Sequence, residues 1–536
     1  MKNIILNLLL FLPILAFSQQ LSKSFNVSTG TPYKVVDAAN KLFTSIGGGF
    51  TISTKMHGEL VTLQKYDVNG MKEVARNEYK DFPKYSKIQE LLEIDNKLYF
   101  IFEAYNKSEK TFSLYSREID TKTCKFNKYI KLFTTTRAVI APAPTALSAT
   151  TNGMYGIGMI KKFKISTSFD KTKIMVKYRL KPLKRRDKLN FDEIGFYIFD
   201  NNFKKIWGKE YEMPYVEAEM DNLATTVKNN GDAFLLVKVN KTKSFELLSI
   251  NKDGLEKHVL DVKKGLVFDK FELKQGKKGI IAVGYYANGV EFKVNYLGSG
   301  SITKNINGLY IFEIDEKGEV VRKKEYPFSI DLINQSRSKN QINKSNKKEA
   351  KGKAGINDLL IKNVTIDNQG NMFVLGEVDY IRNEIYMTST TLMKHLGNMI
   401  LTKIDAEGNL IWQKKLPKNQ AGVASAKQVQ SLGIFYDHGQ EATYVLFTDN
   451  KKNANITVND TPRAHKAGFG GYITAFKVDN KTGEVERHLI LDLTNIGGIK
   501  AYQFQTKRIL RADDGVFLLE IYIKGKKDTM VKMEVK

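Results

Sequence analysis

A single cysteine, Cys124, is all that the 536 residues carry. No internal disulfide can form, so stability in an oxidising compartment must come from the core. Nothing near Cys124 suggests an activated thiolate, and it reads as an ordinary strand or loop residue. The six histidines include no pair at metal-ligand spacing and have no cysteine partner, which leaves no metal and no cofactor to expect. There is no Gly-x-Ser-x-Gly elbow, since "GSGS" at 298–301 lacks both the spacing and the strand-to-helix setting. Asp/Gly turns such as "DEKGE" (315–319) lack the full calcium ligand series and recur where a hairpin needs to turn. Past position 20 no apolar run is long enough to cross a bilayer, and no sustained apolar stripe of period 3.6 appears.

Acidic residues are short as well. The balance of 84 basic against 58 acidic residues, +26, favours acidic partners such as anionic glycans, lipopolysaccharide phosphates, nucleic acid or acidic proteins. A generally lysine-rich, solvated surface gives the same number, so charge alone does not choose. The first residues carry Lys2, an apolar run from Ile4 to Phe17 and the small pair Ala16 and Ser18, the pattern of a signal peptide over 1–18. No cysteine follows that run, which excludes a lipid anchor there. The expectation is an exported, soluble, monomeric protein, periplasmic or loosely outer-membrane-associated in preference to released.

What is present is a repeat. "LTKIDAEGNLIWQKKLPK" (401–418) has relatives at 61–79, 115–132, 195–215, 246–260, 309–328 and 473–491. Trp207 and Trp412 each fall seven residues after the turn aspartates Asp200 and Asp405, in the same place of two copies. Each copy alternates β-branched or aromatic residues with polar ones around an Asp/Asn/Gly reversal, as a hairpin requires. A second hairpin type is interleaved at 91–103, 165–178, 226–239, 272–285, 363–378, 433–447 and 508–523. Together they make four-stranded antiparallel sheets A-B-C-D that cover one another only when arranged radially. The fold class is all-β, a single β-propeller over 19–536. Strand character in 33–56 and 529–535 favours eight blades over seven, with the last closed by an N-terminal strand near Phe25–Ser28.

The blocks "YKVVDAANKLF", "REIDTKTCKFNKYIKL" and "GFYIFDNNFKKIWGKEYEMPY" resemble a group of exported bacterial propeller-repeat proteins of uncharacterised activity, most clearly over 33–260. The resemblance implies the fold and transfers no activity or catalytic residue.

In such a sheet the A-B and C-D turns fall on one face of the ring and the B-C and D-A connections on the other. The long segments, 133–160, 180–193, 287–307, 329–357, 379–398 and 449–471, are all of the second kind, so one face gathers the loops. Residues 161–190 hold 12 basic and 2 acidic residues, and 331–356 hold 7 and 2. The latter reads as a disordered basic insertion. "KPLKRRDK" (181–188) offers Lys181, Lys184, Arg185 and Arg186 as an anion clamp. "NDTPRAHKAGFGGY" (459–472) offers Arg463 for binding and His465 as an acid/base. A solvated loop is the plain alternative for both. Paired carboxylates for glycoside chemistry cannot be picked out, because they would come from different blades. The reading is a binding or scaffold propeller with a basic face for an anionic glycan or envelope protein, without specific nucleic-acid recognition. A hydrolase or lyase on an acidic polysaccharide and an envelope-assembly component are the alternatives, and no catalytic residue can be named.

Overall fold

The computed structural model describes residues 21–38, 40–140, 161–184, 189–263, 265–276, 279–289, 291–294, 300–386, 389–424, 430–468 and 470–536. The expected signal peptide, and Arg185 and Arg186 of the basic loop, lie outside them. The hairpins form where alternation places them. They assemble into eight four-stranded antiparallel blades, spanning 40–79, 86–134, 139–216, 220–260, 267–327, 359–416 and 434–492. The eighth combines the C-terminal strands from 503–535 with the N-terminal strand Phe25–Thr29. Phe25 pairs with Val535 and Thr29 with Val531, so the ring closes with the two ends of the chain in one sheet.

The C-D turns of blades 1 to 7 are chemically uniform, each with an Asp or Asn side chain accepting backbone N–H groups. The carboxylate of Asp315 accepts the backbone N–H groups of Lys317 and Glu319, each at 2.9 Å, and Asp405 accepts that of Asn409 at 2.6 Å. These aspartates are committed to their own backbone, and that turn chemistry accounts for their recurrence. Gly408, at φ 78°, supplies the left-handed residue that the Asp405 turn requires. Trp207 and Trp412 do hold equivalent places, opposite Ile198 and Lys403 and next to the same register shift.

Apolar residues gather between blades. Seven of the eight interfaces each hold a cluster of 10 to 19 buried residues, among the described residues. The interface between blades 8 and 1 is thinner, with Val68, Leu510, Ala512 and Leu518 in one group and Tyr33, Tyr66 and Met530 in another. Cys124 is wholly buried at a turn of positive φ, and burial pushes its thiol up to about 11.

Two segments differ from expectation. The basic stretch read as disordered carries helices α1 (Ile330–Asn334) and α2 (Lys339–Glu349). Leu332 and Ile333 are buried against Phe328 and Ile356. The Ser329 hydroxyl accepts the Leu332 N–H, and Gln341 accepts that of Ser338. Lys415 donates to the carbonyls of Ile333 (3.0 Å) and Gln335 (2.6 Å). Helix α2 is polar on nearly every side, so it lacks the apolar stripe that would announce a helix. Residues 379–398 are no loop either: strands Met372–Tyr386 and Ser389–Ile404 pair as an extended hairpin arm.

Phe25 fixes the closing strand, being fully buried in the cluster shared by blades 7 and 8. Phe25→Ala is expected to cost about 3–5 kcal/mol in denaturant unfolding. Val74→Ala, on the exposed outer strand of blade 1, should stay within about 0.5 kcal/mol. Equal effects would show that the N-terminal strand does not close the ring.

Candidate functional site: a lysine-lined channel

The A strands of neighbouring blades contact one another and are innermost, so their inward-facing polar side chains line the central channel. In blade 3, Lys164 and Lys177 stand directly opposite one another on paired strands. Like charges so placed repel. Lys164 retains solvent exposure, and Lys177 is half-buried. Burial nevertheless draws the Lys177 amine down to about 7, helped by Lys164, and lowers that of Lys164. Accessible to water yet surrounded by protein is the condition of a channel-wall residue. Lys270 and Lys274 of blade 5 act on Lys164 through space and lower it further, while Glu272 opposes them. Burial pushes the Glu272 carboxyl up, but Lys270, bonded to it at 2.7 Å, and its other lysine neighbours outweigh that and leave it low.

Blade 6 supplies a second group. Glu377, almost fully buried, binds Lys418 at 2.8 Å and Lys362 at 3.2 Å. Asp379 binds Lys362 at 2.5 Å and also Lys394. Lys362 sits at a register shift in its strand, which aims an extra side chain inward. Lys507, from the connection into blade 8, faces this group; burial and Lys362 lower its amine. Two carboxylates thus meet four lysines.

The third group locks the seam between blades 8 and 1. Glu520 accepts hydrogen bonds from Lys55, from Lys41 (3.0 Å) and from the Tyr33 hydroxyl (2.7 Å). Burial opposes its ionisation, but Lys55 and Lys41 prevail and hold it down to about 2. Neighbouring Asp528 is pushed up to about 6 by burial and by Glu520. Lys55 is fully buried and Asp528 nearly so. Divergent carboxyl pKa values can mark an acid/base pair, but here both groups are sealed between blades and serve closure.

The residues singled out from sequence sit elsewhere. Lys181 and Lys184 are exposed on the B-C connection of blade 3, anchored through their backbones: the Lys181 N–H donates to the Ala138 carbonyl at 2.7 Å, and that of Lys184 to Asn190 at 2.8 Å. Arg463 is exposed on blade 7, its backbone clasped by Asn453. His465 is buried, in a short parallel bridge to the strand Gln420–Val423, with Ser431 at 3.3 Å. Burial and Lys418 bring its imidazole down to about 4, which keeps it neutral and away from solvent. Blades 3 and 7 lie on opposite sides of the eight-membered ring, so the two loops share a face without forming one site. The channel lysines were missed because a lysine inside an alternating strand looks like any solvent-facing position. Comparing only the A strands, "NKLFTS", "KIST", "VFDKFELKQG" and "LLIKNVTI", would have shown lysines recurring on the one strand whose polar face looks inward. Exposed aliphatic residues on the outer strands, such as Val74, Ile130, Ile206, Val259 and Val321, come from five different blades. No helix among the described residues is long and apolar enough to cross a membrane.

No protein-family model matches the sequence, and no curated protein does. Solved propellers resemble it in architecture. A polysaccharide lyase shares 10% identity over 95% of this chain and 92% of its own, with a TM-score of 0.39. A protein of Listeria monocytogenes shares 8% over 82% and 90%, with 0.37. The β-propeller domain of the Trilobed protease of Pyrococcus furiosus shares 11% over 70% and 97%, with 0.30. At such values the likeness assigns neither ligand nor reaction.

The seam gives a pH signature. Glu520 ionises near 4.5 when unfolded and near 2 when folded, so its contribution is present above pH 4.5 and lost as pH falls towards 2. Asp528, raised from 3.8 to about 6, acts in the opposite sense between those two values. Glu520→Gln is expected to lower stability at neutral pH by about 3 kcal/mol or more, because Lys55 loses its counter-charge. The decline between pH 4.5 and 2 should become shallower in thermal unfolding. An unchanged acid limb would remove Glu520 from the lock.

Proposed function

We propose that this is an exported binding propeller whose central channel and loop-rich face take an anionic ligand, a glycan or an acidic protein partner, in the periplasm or at the outer membrane. A propeller is a scaffold suited to binding, and the fold by itself selects no ligand. The observation that carries the reading is the convergence of Lys164, Lys270 and Lys274 on the carboxylate Glu272, with Lys177 directly opposite Lys164. Placing like charges opposite one another costs stability, and an arriving anion relieves that cost. Lys181, Lys184 and Arg463, exposed around the same face, add a field that draws polyanions towards the mouth.

One observation favours catalysis as a second reading. With its pKa near 7, Lys177 is partly unprotonated at neutral pH, and cations stand beside it. A neutral amine there can take the proton α to a uronate carboxylate while those cations hold the carboxylate, as a lyase requires.

Binding to sulfated, uronate and neutral glycans, lipopolysaccharide and DNA, at low and high salt, tests both readings. A K164M/K177M/K362M variant is expected to weaken binding of one anionic class by about tenfold per lysine that pairs with the ligand, and to flatten the salt dependence. Unsaturated uronate products from the native protein, absent with K177M, would establish the lyase. Binding that ignores both salt and the triple substitution would overturn the anionic reading.

A further inference from the structure

A pocket of about 350 Å³ opens between blades 2 and 3, away from the lysine channel groups. Its walls come from the loop-rich ends of strands: Tyr85 and Lys87 at the start of Ser86–Ile94, Glu103 near the end of Lys97–Asn106, and Phe112 at the start of Thr111–Asp120. Lys162, Ala138 and Val139 complete it from blade 3.

Three features make it a built site. Glu103 is 2% exposed, and its Oε2 atom is buried without a hydrogen-bond partner. An unmet carboxylate oxygen at a pocket wall is costly unless a donor arrives. Burial raises the Glu103 carboxyl, and the opposing pull of Lys162 and Lys87 does not cancel it. Both lysines act on Glu103 through space, with no hydrogen bond from either among the causes of its shift. Aromatic surface is the second feature. Tyr105 and Phe112 pack with ring centres 4.7 Å apart. Tyr85 is held at φ 59°, a conformation that bulky residues avoid, with half its surface exposed. The third feature is the cationic rim. Lys162 stands 3.8 Å above the Phe112 ring and Lys107 4.1 Å above that of Tyr85. The basic 181–184 stretch abuts the pocket through the bond from the Lys181 N–H to Ala138.

A ligand that answers all three needs hydroxyl donors for Glu103, an apolar face for the aromatic rings and an anionic group for Lys87 and Lys162. A simple amine would satisfy the carboxylate but meet two ammonium groups. We infer that the pocket between blades 2 and 3 binds one acidic sugar residue, carboxylated or sulfated, of a glycan, with Glu103 accepting ring hydroxyls and Tyr85 serving as stacking platform. This rests on the anionic-ligand reading and gives it a second, chemically distinct contact point beside the channel.

The test is titration calorimetry of the full chain with an oligogalacturonate, a sulfated galactan oligosaccharide and neutral maltotetraose. One of the two acidic saccharides is expected to bind, identifying the anion, with the neutral one at least tenfold weaker. Tyr85→Ala and Glu103→Gln should each lower that affinity by tenfold or more, with the thermal midpoint of Tyr85→Ala unchanged. Lys162→Met, at a half-buried position, provides a second substitution should Glu103→Gln fail to fold. Acidic-saccharide affinity that survives Tyr85→Ala and Lys162→Met but falls in K164M/K177M/K362M would overturn the pocket while leaving the channel reading intact. Neutral and acidic saccharides binding equally would overturn the ligand class. Polyanion binding without any saccharide binding would overturn the inference alone.

Discussion

A four-stranded sheet has two apolar faces and no means of covering them itself. Everything in this molecule follows from the solution that each blade is the cover of the next, which holds only if the last blade meets the first. Seven interfaces do so with apolar clusters, and the eighth does so largely with ions: Lys41 and Lys55 against Glu520 and Asp528, with Tyr33 bonded into the same group. A buried ion pair yields little net stability compared with a well-packed apolar contact, but it is intolerant of misplacement, because a slipped register strands a charge in a dry interior. The partners lie more than 460 residues apart in sequence, so the closure that depends on them forms only between the right strands.

That division of labour explains how much could be read from the chain. Turn chemistry and alternation are local, and they announced the hairpins of the blades, the eighth blade and the strand at Phe25–Ser28, but not the hairpin arm over 379–398. The α1–α2 segment was hidden because its order comes from elsewhere: Lys415, some eighty residues on, binds its carbonyls, and the apolar contacts of Leu332 and Ile333 belong to the interface of blades 5 and 6. The site was less legible still. Charge in a loop is conspicuous as a run, whereas Lys164, Lys177, Lys274 and Lys362 are scattered singly through strands, and Lys164 and Lys274 meet only once the ring forms. His465 illustrates the opposite error, since a histidine offered as an acid/base in a glycine-rich loop is instead buried in a strand bridge.

The charge excess therefore has two tiers. The outer tier, Lys181, Lys184 and Arg463, is solvated and screened within about 10 Å at moderate salt. The inner tier is flanked by protein, where screening is weaker and each cation alters the next, as the lowered amines of Lys164, Lys177 and Lys507 record. A polyanion approaching this face would feel the first tier at a distance and exchange it for the second on contact.

Placing both ends of the chain in one blade also gives the ring a handle. Phe25 pairs with Val535 at the end of that sheet bearing the short A-B and C-D turns, and the Lys536 N–H reaches the Ser24 carbonyl at 3.0 Å. Any chain attached before Ser24 or after Lys536 therefore leaves from the face opposite the long loops. A bead, a surface or a fused partner joined at either end would hold every copy with its channel mouth turned outward, so that immobilisation orients the molecule rather than obstructing it.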